Sequence, residues 1–475
     1  VDLVIRPLGQ DRFRVARHDG YHEFQRHPVG GRWAHRSIGI SGSDPLGDQD
    51  PDRWLGLASE LEGVAAGRRT GSFPWCHERI AQLFDAAAAP DLMVIHTPDH
   101  HFHGNLGEHG SLGVVQSRAP FLAAGAGIRA RGLVEGHLRM VDVAPTMAAV
   151  LGCGPAPGAL GPTGEPRPDA LLRRQDGDVA DGLLDGGRAD HVVAFLIDGT
   201  NANVCYDVIA AGEAPTMAGL VARGTAYRGG CLASLPTVTL SNHTTALTGA
   251  HPGHSGVLHN TWHDRRLGVD HDLLELSQMI TAARHLAPGV ETVHEAVHRS
   301  FPSAFTATTY EYADRGADWS TYAELRAGRR PPFPRRGDPL PHATAEFVEP
   351  SAGYRFMSRV DTTSTDQAVR LWSGEDHPLP TLLWVNLNLT DTSGHEAGPH
   401  APQTRAAIRD SDRRIAAVLE AVDRAGALER SAVFVLADHG MELTDPANTE
   451  PYLPALEAAG IAHRDVGDGL VYLGV

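Results

Sequence analysis

The stretch His191 to Gly199, HVVAFLIDG, sets six consecutive apolar residues, Val192 to Ile197, directly before an Asp-Gly pair. A strand that is apolar on both faces needs cover on both faces, the condition of a parallel sheet wrapped in helices. A carboxylate at its end cannot enter that core without a partner. Two further apolar runs repeat the arrangement. PTLLWVNLNL (380–389) runs directly into a polar loop, LTDTSGHEAGP, and SAVFVLA (431–437) runs into Asp438-His439-Gly440-Met441. Strands ending in Asp-bearing loops are characteristic of open parallel sheets, whose ligands gather at the carboxyl edge. The pattern predicts a doubly wound α/β fold, with a mostly parallel sheet flanked by helices.

The rest of the chain divides around that unit. Residues 1–19 read as two short strands, Leu3 to Pro7 and Arg12 to Arg17, around a Gly9-Gln10-Asp11 turn. Periodic segments near 51–67 and 74–88 read as helices, and DLMVIHT (91–97) and APFLAAG (119–125) as strands. VDVAPTMAAVLG reads as a helix starting near Pro145 and stopped by Gly152. Between these lies a His- and Gly-rich loop, 98–113. Residues 153–189 are rich in Gly, Pro, Asp and Arg without periodicity and read as a linker. The segment from about 263 to 378 reads as a loop-rich cap or insertion.

Composition excludes several classes. Lys+Arg 41 against Asp+Glu 58 leaves a formal charge of −17, which argues against non-specific binding to nucleic acid or anionic membranes. No apolar run approaches the ~18 residues of a membrane-spanning helix. Every basic residue other than histidine is Arg, so no lysine base or Schiff base is available. The four cysteines, Cys76, Cys153, Cys205 and Cys231, are dispersed without a CxxC, which indicates neither a cysteine zinc site nor a disulfide framework. No leader pattern is visible, and the compartment and oligomeric state stay open.

Four polar clusters stand at strand ends: Asp198; the run PTVTLSNHTTALTGAHPGHSGVLHN from Pro236 to Asn260; Asp391 with His395; and Asp438 with His439. Each has a bland reading. An Asp-Gly after a strand is ordinarily a turn, Asp391 and His395 could sit on a surface loop, and Ser241 or Asn242 could simply cap a helix. Their joint occurrence in one α/β chain argues otherwise. Asp and His are ligands for divalent metals, and two such ions ~3.5–4 Å apart can clamp both oxygens of an in-line phosphoryl displacement.

These residues resemble the alkaline phosphatase superfamily, specifically its type I phosphodiesterase/nucleotide pyrophosphatase branch. PTVTLSNH and GVLHN are similar to that branch's Pro-Thr-x-Thr-x-Pro-Asn-His and Gly-x-x-x-Asn motifs, with Ser241 where the family usually has Pro. The later clusters resemble its Asp-x-x-x-His-x-x-Gly-Pro and Asp-His-Gly-Met motifs. The resemblance implies an alkaline-phosphatase-like fold and makes Thr239 the nucleophile. It gives Asp198, Asp438 and His439, with the Thr239 oxygen, to one metal, and Asp391 and His395 with one further His to the other. Asn260 would hydrogen-bond a non-bridging phosphoryl oxygen.

That further His belongs, in the family, to a late Gly-x-His-Gly context. After His439 only His463 remains, in the wrong setting, whereas LGEHGS (106–111) near the front matches and offers His109; His100, His101 and His103 crowd the same loop. Residues 1–152 thus resemble the back part of the family's domain and 190–475 its front part, with 153–189 joining them. A circularly permuted domain is the economical reading, and a fragment of a tandem array is its rival. Permutation would bring VDLVIRP and DGLVYLGV together, with Val1 near Val475.

The implied activity is metal-dependent hydrolysis of a small phosphate ester, a phosphodiester by preference, through a phospho-threonine on Thr239. Two divalent cations would serve it, zinc by default, with manganese or iron able to use similar ligands. The same site could take phosphomonoesters or phosphonates. A phosphomutase would ordinarily use Ser and basic residues, and a catalytically silent binding or scaffold protein would have lost ligands, of which none is missing here.

Overall fold

The structure, a computed structural model, describes residues 1–66, 71–97, 104–335, 337–338, 351–445, 447–448, 452–466 and 469–474. At its centre lies an eight-stranded sheet in the order Trp319–Ser320, Thr306–Thr309, Leu382–Leu387, His191–Ile197, Ser431–Leu436, Phe121–Gly125, Gly224–Tyr227, Gly132–Val134. Its strands run parallel except Phe121–Gly125, which is antiparallel to both neighbours. Alternation along each strand assigns the two faces. Val192, Ala194 and Leu196 enter one core with the helices Val143–Leu151, Thr239–Thr248 and Val293–Ser300. Val193, Phe195 and Ile197 enter another, under Ala202–Ala210, Pro215–Arg223, Ala352–Leu371 and Pro402–Arg424. The sheet is covered on both faces, as the continuous apolar runs require.

A second sheet is antiparallel, in the order His463–Asp465, Leu470–Leu473, Leu92–Ile95, Leu3–Gly9, Arg12–Arg17, Gly20–Val29, Arg32–Gly42. The hairpin 20–42 has no counterpart in the sequence reading. The inward positions of its first strand are His22, Phe24 and Arg26, so burial alternates where hydrophobicity does not. Arg26 is held there by Asp11 at 3.0 Å and Asp85 at 2.8 Å. Leu3–Gly9 and Leu470–Leu473 flank Leu92–Ile95, with Ile5 and Leu470 both opposite Met93. The two end segments therefore lie in one sheet with one strand between them, running in the same direction, which carries Leu473 away from Val1. Val475 lies outside the described residues.

Three local expectations change. The polar stretch after Leu387 is not a loop but a helix, Leu389–Ala397. Its start is capped from elsewhere: the buried Asp361 carboxylate accepts Asn388 N–H at 2.8 Å and Leu389 N–H at 3.1 Å. Helix Val143–Leu151 begins before Pro145, and Gly152 ends it at φ 76° as expected. The segment 263–378 is only partly a cap. Its first part forms the hairpin Thr261–Asp264/Val269–Asp272, but Thr306–Thr309 and Trp319–Ser320 are strands of the central sheet, and Ala352–Leu371 covers it. TATT hides its burial because three of its four residues are threonines; Thr309 Oγ1 meets Ser364 Oγ at 2.8 Å.

Residues 153–189 carry no helix or strand, yet they are packed: Leu172, Leu183 and Ala189 join the central core. Asp176 in this segment is buried against Arg174 at 2.9 Å, His254 at 2.6 Å and His251 N–H at 2.8 Å.

Phe121 is fully buried and meets Phe434 edge-on at 6.2 Å, joining the strand from residues 1–152 to the strand beside it. Phe121→Ala is expected to destabilise the fold by about 3–5 kcal/mol, read as a lower urea midpoint at unchanged m-value. Glu78 supplies a pH test. Burial pushes its carboxyl up, but the His251 hydrogen bond and the Arg139 charge, 3.1 Å away, outweigh that and hold it at about 2 against an ordinary 4.5. A lowered carboxylate stabilises the fold above its unfolded value, and that contribution is lost as pH falls from 4.5 toward 2. Glu78→Gln should flatten this acid limb in unfolding measured at a series of fixed pH values.

Candidate active site

Three adjacent strands of the central sheet deliver their ends to one place. Asp198 follows Ile197 directly, and Gly199 at φ 61° turns the chain so that its N–H donates to Asp438 Oδ1 at 3.1 Å. A Cβ at Gly199 would lie 2.4 Å from Asp391 Oδ1. The second residue of the Asp-Gly pair therefore answers to the approach of a third carboxylate as well as to the turn. Asp438 and His439 follow Leu436. Asp391 and His395 lie one turn apart on the helix Leu389–Ala397 and so share a face, with His395 Nε2 3.4 Å from Asp391 Oδ1.

Thr239 opens the helix Thr239–Thr248, its Oγ1 3.5 Å from His439 Nε2. Ser241 and Asn242 do not cap this helix from outside; they lie inside its first turn and reach back. Asn242 Oδ1 accepts Ser234 N–H at 2.7 Å and its Nδ2 donates to Pro236 O at 2.8 Å. The Ser241 hydroxyl donates to Pro236 O and Val238 O, both at 3.1 Å. The loop that presents Thr239 is thus pinned by hydrogen bonds at the position where the family usually has Pro. Asn260 Oδ1 accepts Leu240 N–H at 3.0 Å, which orients its amide beside Thr239 and leaves Nδ2 as its donor.

His109 arrives from residues 1–152. Its Nδ1 donates to Thr237 O at 3.0 Å, while Thr237 Oγ1 accepts Gly110 N–H at 2.9 Å and donates to Ser111 O at 2.8 Å. Backbone carbonyls orient the other two rings in the same way: His395 Nδ1 to Gly107 O at 2.8 Å and His439 Nδ1 to Gly440 O at 2.9 Å. All three imidazoles therefore present Nε2 to the site, because the carbonyl at Nδ1 fixes the tautomer and the orientation of each ring. His109 Nε2 is 3.1 Å from His395 Nε2 and 3.7 Å from Asp391 Oδ1, and its ring stacks on His439 at 3.8 Å. His439 Nε2 is 3.1 Å from Asp438 Oδ2 and 3.8 Å from Asp198 Oδ1.

The donor set fits divalent cations. Asp198 Oδ1, Asp391 Oδ1, Asp438 Oδ2 and His243 Nε2 are buried with no hydrogen-bond partner among the described residues. Donors sharing a tetrahedral zinc at about 2.0–2.2 Å lie about 3.3–3.6 Å apart, close to the separations here. Burial, and then repulsion from Asp438 and Asp391, push Asp198 well above the usual carboxylate range. Burial, then the neighbouring His439 and His395, hold His109 well below the ordinary imidazole value, so it stays neutral and able to ligate.

Within the described residues two compact groups can be drawn: His109, Asp391 and His439, and Asp198, His243 and Asp438. His439 thus stands between the two. His243 is absent from the candidate ligands of the sequence reading, although it is the last residue of PTVTLSNH; four residues after Thr239, it falls on the same helix face one turn deeper. The cavity beside Thr239, about 250 Å³, is walled by Val94, Ile95, Val238 and Leu274 as well as by site residues. His463 stands apart, in the edge strand of the antiparallel sheet, and His100, His101 and His103 lie outside the described residues.

A sequence model of the family described as type I phosphodiesterase / nucleotide pyrophosphatase matches residues 192–474. The chain belongs to this family. The match holds Asp198, Thr239, Asn260, Asp391, His395, Asp438 and His439, whereas His109 lies before it. No curated protein matches the chain. Among solved structures it is similar to murine ectonucleotide pyrophosphatase/phosphodiesterase 5, an inactive form in complex with AMP, at 14% identity and TM-score 0.35, covering 53% of this chain and 57% of that one. It is similar also to phosphonoacetate hydrolase from Sinorhizobium meliloti 1021 in complex with phosphonoformate, at 17% identity and TM-score 0.35, covering 54% and 58%. The chain spans little more than half the length of these relatives. Among the described residues no helix is long and apolar enough to cross a membrane.

Gly199→Ala tests the close approach. A left-handed alanine costs about 1–2 kcal/mol before the contact with Asp391 is counted, so unfolding free energy should fall by at least that much. Zinc uptake, followed by calorimetry, should weaken with it.

Proposed function

We propose that this chain is a phosphate ester hydrolase, acting on diesters by preference, with Thr239 as nucleophile at a site for two divalent cations. The observation that carries the reading is the convergence of Asp198, Asp391 and Asp438 with the Nε2 atoms of His109, His395 and His439 around Thr239. Membership of the family supports the class of reaction. Bound cations, zinc by the donor set, would supply Lewis acidity, acidifying the threonine hydroxyl and screening charge on the leaving oxygen.

The chain's own residues do the rest. Thr239 Oγ1 gives up its proton to water and attacks phosphorus, forming the Oγ1–P bond as the bond to the leaving oxygen breaks; the departing alkoxide takes a proton back from water, so the step is proton-neutral. Hydrolysis of the phospho-threonine then returns Thr239 and releases the remaining phosphate ester. Helix Thr239–Thr248 directs its N-terminus at the developing negative charge, and the Asn260 amide donates to a non-bridging oxygen. One amide satisfies one oxygen without requiring a second anionic one, which favours a substituted phosphate. Val94, Ile95, Val238 and Leu274 offer apolar surface to an ester substituent. We assign His109 to the site as its late histidine, and with it a permuted order in which residues 1–152 serve as the back part of the domain.

The test is turnover of bis(p-nitrophenyl) phosphate and p-nitrophenyl phosphate, with metal content, for the wild type, Thr239→Ala and His109→Ala. About two cations per chain, faster diester turnover, and a fall of at least about a thousandfold in Thr239→Ala are expected. His109→Ala should lose activity and one cation together. Full activity in His109→Ala would remove that residue from the site and the permuted order with it. Faster monoester turnover would make the chain a phosphomonoesterase, and absence of both metal and turnover would leave a binding module.

A further inference from the structure

We infer that His243, anchored by Glu311, is a positioning residue that sets Asp198 and Asp438 for the deeper cation, an assignment that rests on the two-cation reading above. The ring is held from two sides. His243 Nδ1 lies 2.8 Å from Glu311 Oε2, both residues are buried, and Glu311 Oε1 in turn accepts Ala313 N–H at 3.0 Å. The Tyr312 ring packs edge-on against the imidazole at 5.1 Å. With Nδ1 committed to Glu311, the opposite nitrogen faces the carboxylates: His243 Nε2 is 3.8 Å from Asp198 Oδ2 and 3.7 Å from Asp438 Oδ2.

Those separations are too long for hydrogen bonds, and His243 Nε2 has no other partner among the described residues. A buried nitrogen without a partner is costly, and here it is aimed at two acidic groups that themselves carry orphaned oxygens. The arrangement restricts where Asp198 and Asp438 can point. Groups that orient metal ligands in this way are worth about 10–100-fold in metal affinity. Glu311 belongs to the segment that follows strand Thr306–Thr309, so the part of the chain read from sequence as a cap would contribute to the metal site.

The experiment is zinc titration by isothermal calorimetry on the chelator-stripped full chain, wild type against His243→Ala, His243→Gln and Glu311→Gln, with a urea midpoint for each. Wild type should take two ions. His243→Ala and Glu311→Gln should weaken one of them about 10–100-fold while two still bind at saturating zinc. His243→Gln, whose amide nitrogen can occupy the Nε2 position, should recover part of the loss. If His243→Ala fails to fold, the Glu311→Gln and His243→Gln titrations decide. Two wild-type sites with all folded variants titrating like wild type would overturn this inference and leave the two-cation reading intact. Loss of one ion at saturating zinc would make His243 a ligand and overturn the positioning role. A wild type that binds no zinc would overturn both.

Discussion

Three carboxylates brought together in a buried space repel one another, and that repulsion is the constraint around which this molecule is organised. Asp198, Asp391 and Asp438 come from three neighbouring strands, and Asp198 is driven far above its ordinary range by burial and by the other two. Interior charge of one sign is tolerated only when opposite charge is supplied. The features around the cluster hold the three carboxylates where they are. Gly199 lets Asp391 approach, Gly199 N–H holds Asp438, and Asp361 starts the helix that carries Asp391 and His395.

The histidines obey the same logic with the opposite handle. Each of His109, His395 and His439 spends Nδ1 on a backbone carbonyl, which selects the tautomer and fixes the ring. Two of these anchors cross the boundary between distant parts of the chain: His109 binds Thr237 O, and His395 binds Gly107 O. Further ties cross it nearby. Asn201 donates to the buried Glu60 at 2.9 Å, and Gln116 donates to Glu442 at 3.2 Å. The site and the joining of residues 1–152 to 190–475 are thus one structural fact.

The parts of this arrangement that could be read from the residues are those whose local pattern matches their final environment. The strands leading to Asp198 and Asp438 are buried on both faces and look it. The strand Thr306–Thr309 is equally buried and does not look it, because three of its four side chains are threonines. The helix Leu389–Ala397 reads as a loop in the sequence because Asp361, a residue of another helix, supplies its cap. Ser241 and Asn242 looked like outside caps, whereas their hydrogen bonds run backward along the loop before Thr239. His243 was in plain view inside a motif, but its role depends on Glu311, sixty-eight residues away, which nothing in the motif announces.

Read alone, the residues settle the covered parallel sheet and the kind of donors at its edge, because an apolar strand ending in a carboxylate has few ways to be stable. They also name most of the candidate donors, Thr239 and Asn260 among them, because their chemistry is carried by short contiguous motifs. Which donors face one another was decided by the tertiary fold. The order of strands sets three carboxylates side by side, a carbonyl from a distant loop turns His109 inward, and Glu311 turns His243 toward Asp198 and Asp438. Those are distances of 3 to 4 Å between groups tens to hundreds of residues apart, and only the closed chain contains them.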